Sequence, residues 1–238
     1  MPKFVVNAGL DEFQQPDDTH YWWNDMPEPK HFAMIPNAEH SLATGILEVV
    51  PAVSAWVSSL LENSVVPTFT WTIDNTTGAI TATLDEVGTV SSAIVHYAYS
   101  CGVNHDSPDK NRRDFRVAML DNPCSCGIYA DNTCANLKSV FHQEILNQTI
   151  VNGKRTYTAY VEPPTDGRWL AYFIDIKYEK AASQQTKDLL KAQEPLIGGK
   201  LFPNDFGELL EFTTEVSIMP NVFPYDDCSG QGCSGRLV

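Results

Sequence analysis

Asp11 and His40 are the two residues of this sequence whose types and spacing could do chemistry together. Asp11 stands two residues after Gly9, at the end of the short apolar run Phe4, Val5, Val6, and His40 follows a second apolar run, "HFAMIP" at 31–36. A carboxylate that reaches an imidazole holds it in one tautomer and stabilises its protonated form, so that the imidazole can take a proton from a hydroxyl. Asp17 and Asp18 are alternatives for the acid, but they sit where the N-terminus of a short helix favours negative charge. The opposite reading is that Asp11 caps a loop and His40 caps a helix. A third member of such a triad is missing: the chain contains no G-x-S-x-G, and "GQGCSGR" near the C-terminus lacks the spacing and the preceding strand of a nucleophile elbow.

The elements that must position these residues read as follows. Residues 3–8 read as a strand whose unbroken apolar character suits a parallel sheet covered on both faces. Asp17 to Asp25 reads as a short helix, 31–36 as a second strand, and Leu42 to Asn63 as a long helix that Pro51 should kink or divide. This β-α-β-α order is the grammar of a doubly wound sheet, and acid then histidine on successive strand ends is the order found in α/β-hydrolase sites. From Val66 onward the pattern changes to period two. The runs "TFTWTI", "GAITATL", "SAIVHYAY", "RTYTAYVE", "WLAYFIDIKYE" and "LEFTTEVSIM" predict antiparallel strands of a β-sandwich. Helical insertions are expected near "LKSVFHQEIL" and "KAASQQTKDLLKAQ". The expected domains are 1–65 and 66–238, with the boundary at 63–67.

Composition narrows the function classes. The chain has 238 residues, 16 basic against 30 acidic, and a net charge of -14. The first 64 residues hold only Lys3 and Lys30 against nine carboxylates, which repels phosphate backbones and anionic lipid. A nucleic-acid role is therefore not expected. No apolar run has the length of a membrane span. Six cysteines, Cys101, Cys124, Cys126, Cys134, Cys228 and Cys233, lie in loop-like surroundings, and N-x-[ST] sites occur at Asn75 and Asn147. Together they favour an exported parent protein with disulfides. Cys228 and Cys233 can pair across "SGQG", and the other four can pair among themselves. Those four with His105 could instead hold zinc, although C-x-C is not the usual knuckle spacing. The absence of a leader, and an opening strand with no earlier partner, are the pattern of an N-terminally truncated parent.

Other residues have a functional and a structural reading. Tyr21, Trp22 and Trp23 could line a pocket or belong to the core. Arg112, Arg113 and Arg116 could grip an anion, or pair with Asp109, Asp114 or other nearby acids. His20, His31, His96 and His142 have no ligand-like spacing and read as structural or surface residues.

The segments "VVNAGLDEFQQPDDTHYWW", "PNAEHSL", "RDFR" and "TTEVSIMPNVFP" resemble the C-terminal half of the PhoPQ-activated pathogenicity-related family, which includes secreted autocrine proliferation repressors. The resemblance implies an α/β-hydrolase-like domain followed by an immunoglobulin- or fibronectin-III-like β-sandwich. It places Asp11 and His40 on the acid and histidine positions, with the serine nucleophile outside this sequence. The chain would then be non-catalytic alone, with neither cofactor nor metal. Two other readings are an extracellular signalling or binding factor, and the C-terminal portion of an active secreted serine hydrolase. The expected partners are a small-molecule or peptide ligand, or a cell-surface receptor.

Overall fold

The computed structural model describes residues 1–100, 113–119, 128–130, 133–135, 139–180 and 208–221. The first strands, β1 (Lys3–Ala8) and β2 (Lys30–Ile35), pair in parallel, with Val5 opposite Phe32. Helix α1 (Ile46–Leu61) follows, and its Ala55 and Trp56 pack into the main core. The remaining strands are β3 (Phe69–Ile73), β4 (Ile80–Leu84), β5 (Val90–Tyr99), β6 (Ala118–Met119), β7 (Ile128–Ala130), β8 (Thr133–Ala135), β9 (His142–Ile145), β10 (Thr149–Val151), β11 (Lys154–Ala159), β12 (Leu170–Glu179), β13 (Leu209–Thr213) and β14 (Ser217–Met219).

Two antiparallel sheets, neither of them closed, dominate the molecule. One has the order β10-β11-β4-β3; the other has β13-β12-β5-β9, with β14 also paired to β12. A small sheet runs β6-β8-β7. Inner-face residues Ile80, Ala82 and Leu84 of β4 share a core with Leu170, Tyr172, Ile174 and Ile176 of β12. Alternation along β4, buried at every second position, is the mark of a strand with one face in the core. β12 departs from it: Leu170 through Ile176 are all buried, because this strand is covered on both sides. Its second face, with Ala171 and Phe173, packs against Leu10, Trp23, Phe32 and Met34 of the N-terminal region.

The expected α/β-hydrolase-like portion is not found, and the fold class is corrected to a mostly β architecture with a single α-helix among the described residues. A doubly wound sheet needs a helix after each strand to cover it. Between β1 and β2 there is only a four-residue 3-10 turn, Asp18–Tyr21. The reason is tertiary. Asp17 makes no side-chain cap, its carboxylate being drawn to Arg113, and Trp23 is pulled into the core shared with β12. What covers β2 is instead the rest of the molecule, including a hydrogen bond from the Met34 amide to Thr213 Oγ1 at 2.9 Å.

Two further expectations change. Pro51 neither ends nor divides α1. It falls in the helix's second turn, and the Leu47 carbonyl it cannot bond lies on a half-exposed residue beside an open cleft, where water can serve. The segment near "LKSVFHQEIL" is a strand where it is described, β9, paired with β5 through Tyr97 opposite His142. The segment "KAASQQTKDLLKAQ" and the side chains of all six cysteines fall outside the described residues.

Candidate acid-base site

Asp11 is positioned by backbone bonds on either side of it. Gly9 donates to the Ile35 carbonyl at 2.9 Å, extending the parallel ladder past β1, and Leu10 donates to the Ala38 carbonyl at 2.9 Å. The Leu10 carbonyl in turn accepts from the Val117 amide at 3.1 Å. Gly9 must be glycine for this approach, since a Cβ there would stand 2.9 Å from the Phe141 ring and 3.1 Å from the Ile35 carbonyl oxygen. The chain then turns, and Asp11 Oδ1 accepts the amides of Phe13 at 2.7 Å and Gln14 at 3.0 Å. A short acidic side chain followed by such a turn is the expected Asx geometry.

His40 arrives from the other strand. Asn37, in the left-handed region at φ 59°, turns the chain after β2. Its side chain grips the backbone of Phe141 twice, donating to the carbonyl at 3.1 Å and accepting from the amide at 2.7 Å. The His40 amide donates to Glu12 Oε2 at 2.9 Å. Glu39 accepts from Ser41 Oγ at 2.7 Å and the Ala43 amide at 2.8 Å, closing the turn before α1. His40 therefore lies in this turn rather than at the first residue of the helix.

The two side chains meet. His40 Nδ1 is 2.9 Å from Asp11 Oδ2 and 3.1 Å from Oδ1. The acid is almost fully buried at 8% side-chain exposure, whereas the imidazole is 52% exposed. Phe13, itself 80% exposed, lays its ring edge-on to the imidazole at 4.7 Å. The hydrogen bond to Asp11 raises the His40 pKa above its ordinary 6.5, and the nearby charges of Asp11, Glu12 and Glu39 add to the effect. With Nδ1 turned to the carboxylate, Nε2 is the nitrogen left for proton exchange. Among the described residues no hydroxyl or thiol hydrogen-bonds Nε2.

The other residues singled out in the sequence have other occupations. Asp17 binds Arg113 through both guanidinium NH groups, across 96 positions of sequence. Asp18 accepts the Gln15 amide at 3.0 Å, and burial raises its pKa. Arg116 pairs with Asp114, while Arg112 falls outside the described residues. Trp23 is core, stacked on Trp71 at 5.7 Å; Tyr21 is exposed and lies against His20 at 3.7 Å. His31 is buried against Phe212, and burial lowers its pKa. His142 lies exposed on β9, beside Tyr97.

One cluster was missed by sequence reasoning. Glu48, Asp175 and Glu211 bring carboxylate oxygens within 4.8 Å of one another. Lys177 Nζ stands among them, 3.1 Å from Glu211 Oε1 and 3.7 Å from Asp175 Oδ2, and His96 Nε2 is 3.6 Å from Asp175 Oδ2. Lys177 supplies the countercharge that a cation would bring, so the cluster reads as an internal ion network rather than a metal centre. The sequence shows only one part of it, Asp175 and Lys177 interrupting the apolar run "AYFIDIKY" on one face of the strand, and not the Glu48 and Glu211 that join them.

Comparisons with known proteins give two similarities. The family model described as PhoPQ-activated pathogenicity-related protein matches residues 1–116, the stretch that holds both Asp11 and His40. The chain is also 27% identical over 244 residues to autocrine proliferation repressor protein A of Dictyostelium discoideum, covering 99% of this chain and 41% of that protein. It thus spans about two fifths of the length of that relative. No solved structure gives a significant match. Over residues 1–116 the chain is similar to the PhoPQ-activated pathogenicity-related family, and along nearly its whole length it is similar to the Dictyostelium autocrine proliferation repressor.

Proposed function

We propose that this chain supplies an acid-base pair to an exported protein of the family, with Asp11 as the orienting acid and His40 as the base that takes a proton at Nε2. The observation that carries the proposal is a buried carboxylate, fixed by two backbone amides, hydrogen-bonded to an exposed imidazole. A helix or loop cap would not need the imidazole to be oriented in this way. The nucleophile is not supplied by the described residues, so the chain alone is proposed to lack hydrolase turnover.

Titration of the His40 imidazole by NMR tests the pairing. The wild-type pKa should lie above 6.5, and Asp11→Asn should lower it while the fold is retained. An unchanged titration in Asp11→Asn would show that the carboxylate does not govern the imidazole. A fluorophosphonate probe tests the missing nucleophile: no serine of this chain should be labelled.

A second reading follows from the printed name of the Dictyostelium relative, an autocrine proliferation repressor: this chain would belong to an extracellular signalling or binding factor. The export common to both readings is supported by Asn75 and Asn147, which lie exposed in the connections β3–β4 and β9–β10, where a glycan could be carried. No helix among the described residues is long and apolar enough to cross a membrane. Secreted material that loses no mass on glycosidase treatment would remove the sequon support.

A further inference from the structure

β3 is the outer strand of its sheet. Its register with β4 pairs Phe69 with Leu84 and Trp71 with Ala82, and the flanking bonds run from the Asp85 amide to the Thr68 carbonyl and from the Asp74 amide to the Ala79 carbonyl. In an antiparallel ladder the residues that bond the partner strand alternate with residues whose amide and carbonyl both point away. Thr68, Thr70 and Thr72 therefore face β4. The amides and carbonyls of Phe69, Trp71 and Ile73 face the open side, where no described residue bonds them. Outer strands are commonly blunted by lysine, proline or a bulge. The run "FTWTI" carries none of these.

A groove of about 530 Å³ runs along this open edge, bordered by Phe69, Trp71 and Ile73 on one side and by Trp23, Glu28 and Glu215 on the other. Trp71 and Trp23 stack at 5.7 Å with an interplanar angle of 30°, and Phe69 packs on Trp71 at 5.6 Å. Glu215 Oε2 accepts the Trp71 indole NH at 3.2 Å. Lys30 is spent on its neighbours: Nζ donates to the Trp23 carbonyl, lies 4.6 Å over the Trp23 ring and is 3.8 Å from Glu28. The groove therefore joins a row of open backbone groups, an aromatic wall and a net negative rim, on a chain whose net charge is -14.

We propose that the open edge of β3 is a strand-addition site for an extended peptide carrying basic side chains. The peptide would bond the amides and carbonyls of Phe69, Trp71 and Ile73 as a further antiparallel or parallel strand, the source of affinity in this mode of recognition. Alternate side chains would lie on the Trp23 and Trp71 rings, and lysine or arginine side chains would meet Glu28 and Glu215. Five residues of strand present an edge of roughly 17 Å, enough for a peptide of about five extended residues.

The test uses the full chain and a synthetic acetylated, amidated peptide of alternating valine and lysine. At millimolar peptide, hydrogen exchange at the Phe69, Trp71 and Ile73 amides should slow, with no change at Thr70 or Thr72, which are already bonded to β4. The same peptide methylated at alternate backbone nitrogens should lose this protection. Glu28→Lys, at an exposed position away from the core, should weaken the lysine peptide about two- to fivefold, the range of an exposed ion pair, and favour a glutamate version. Unchanged exchange at the three amides, equal binding of the methylated peptide, or insensitivity to Glu28→Lys would overturn the proposal. So would perturbation of Trp71 fluorescence by an oligosaccharide such as cellopentaose with no response to the peptide, which would make the rings a sugar platform.

Discussion

Two places among the described residues set a carboxylate against a histidine, and they are built on opposite principles. At Asp11 and His40 the contact is 2.9 Å, the acid is buried and the imidazole faces solvent. At Asp175 and His96 it is 3.6 Å, and both side chains are buried, at 2% and 7% exposure. The second pair belongs to a network with Lys177 and Glu211, on a strand covered on both faces. Chemistry needs a group whose proton can reach a reactant, and only the first pair offers one. The second spends its charges on one another. Proximity of acid and base thus says little until exposure is added.

The largest expected effect lies in the buried network. Lys177→Met would leave the buried Asp175 carboxylate, with the Glu211 carboxyl beside it, without its main countercharge. Removing one partner of a buried ionic pair costs about 3 to 5 kcal/mol. Urea denaturation near neutral pH should show a loss of that order. A loss below about 1 kcal/mol would mean that water, not Lys177, satisfies the cluster, and would bring it closer in kind to the exposed site.

A smaller effect should appear in the pH dependence. Burial, reinforced by Asp175, pushes the Glu211 carboxyl well above its ordinary 4.5. The folded state therefore holds a proton that the unfolded state releases above that pH. Stability should be full below about pH 4.5, as far as this group is concerned, and should fall as pH rises through the folded value. Glu211→Gln keeps an acceptor for Lys177 and cannot ionise, so it should flatten the fall and be the more stable protein at the alkaline end. Equal slopes for the wild type and Glu211→Gln would assign the dependence elsewhere.

The contrast between the two sites also explains what the sequence made legible. Strands β3, β4, β5 and β12 could be seen in their Thr-, Val- and aromatic-rich runs, because period-two patterning is local. Asp11 and His40 could be paired because each closes an apolar run and the two runs turn out to be parallel neighbours. The fold class could not be read in the same way. The order of elements in the first 65 residues mimics a doubly wound sheet, but Trp23, Phe32 and Met34 are buried by β12 and its neighbours rather than by helices of their own. Asp17 looked like a helix cap for the same reason, since its true partner, Arg113, is 96 positions away. The buried network was hidden because Glu48, Asp175 and Glu211 come from three separate elements, and nothing in a linear pattern places them together.

The smallest effect is expected at the exposed pair itself. His40→Ala removes a half-exposed ring whose contacts are the Asp11 carboxylate and the edge of Phe13, both at the surface side of the turn. Asp11 keeps the amides of Phe13 and Gln14, so its charge remains hydrogen-bonded without the imidazole. The His40 backbone bond to Glu12 is also unaffected by the change. Surface replacements of this kind change stability little. The sign of its pH dependence is fixed: a histidine whose pKa is raised in the folded state stabilises below about pH 6.5 and stops doing so as pH rises through the folded value. The difference in stability between wild type and His40→Ala should therefore be near zero at pH 8.5 and slightly in favour of wild type at pH 5.5. A loss of several kcal/mol at both pH values would make His40 a structural residue like His96, and would remove the ground for treating the exposed pair as a site of chemistry.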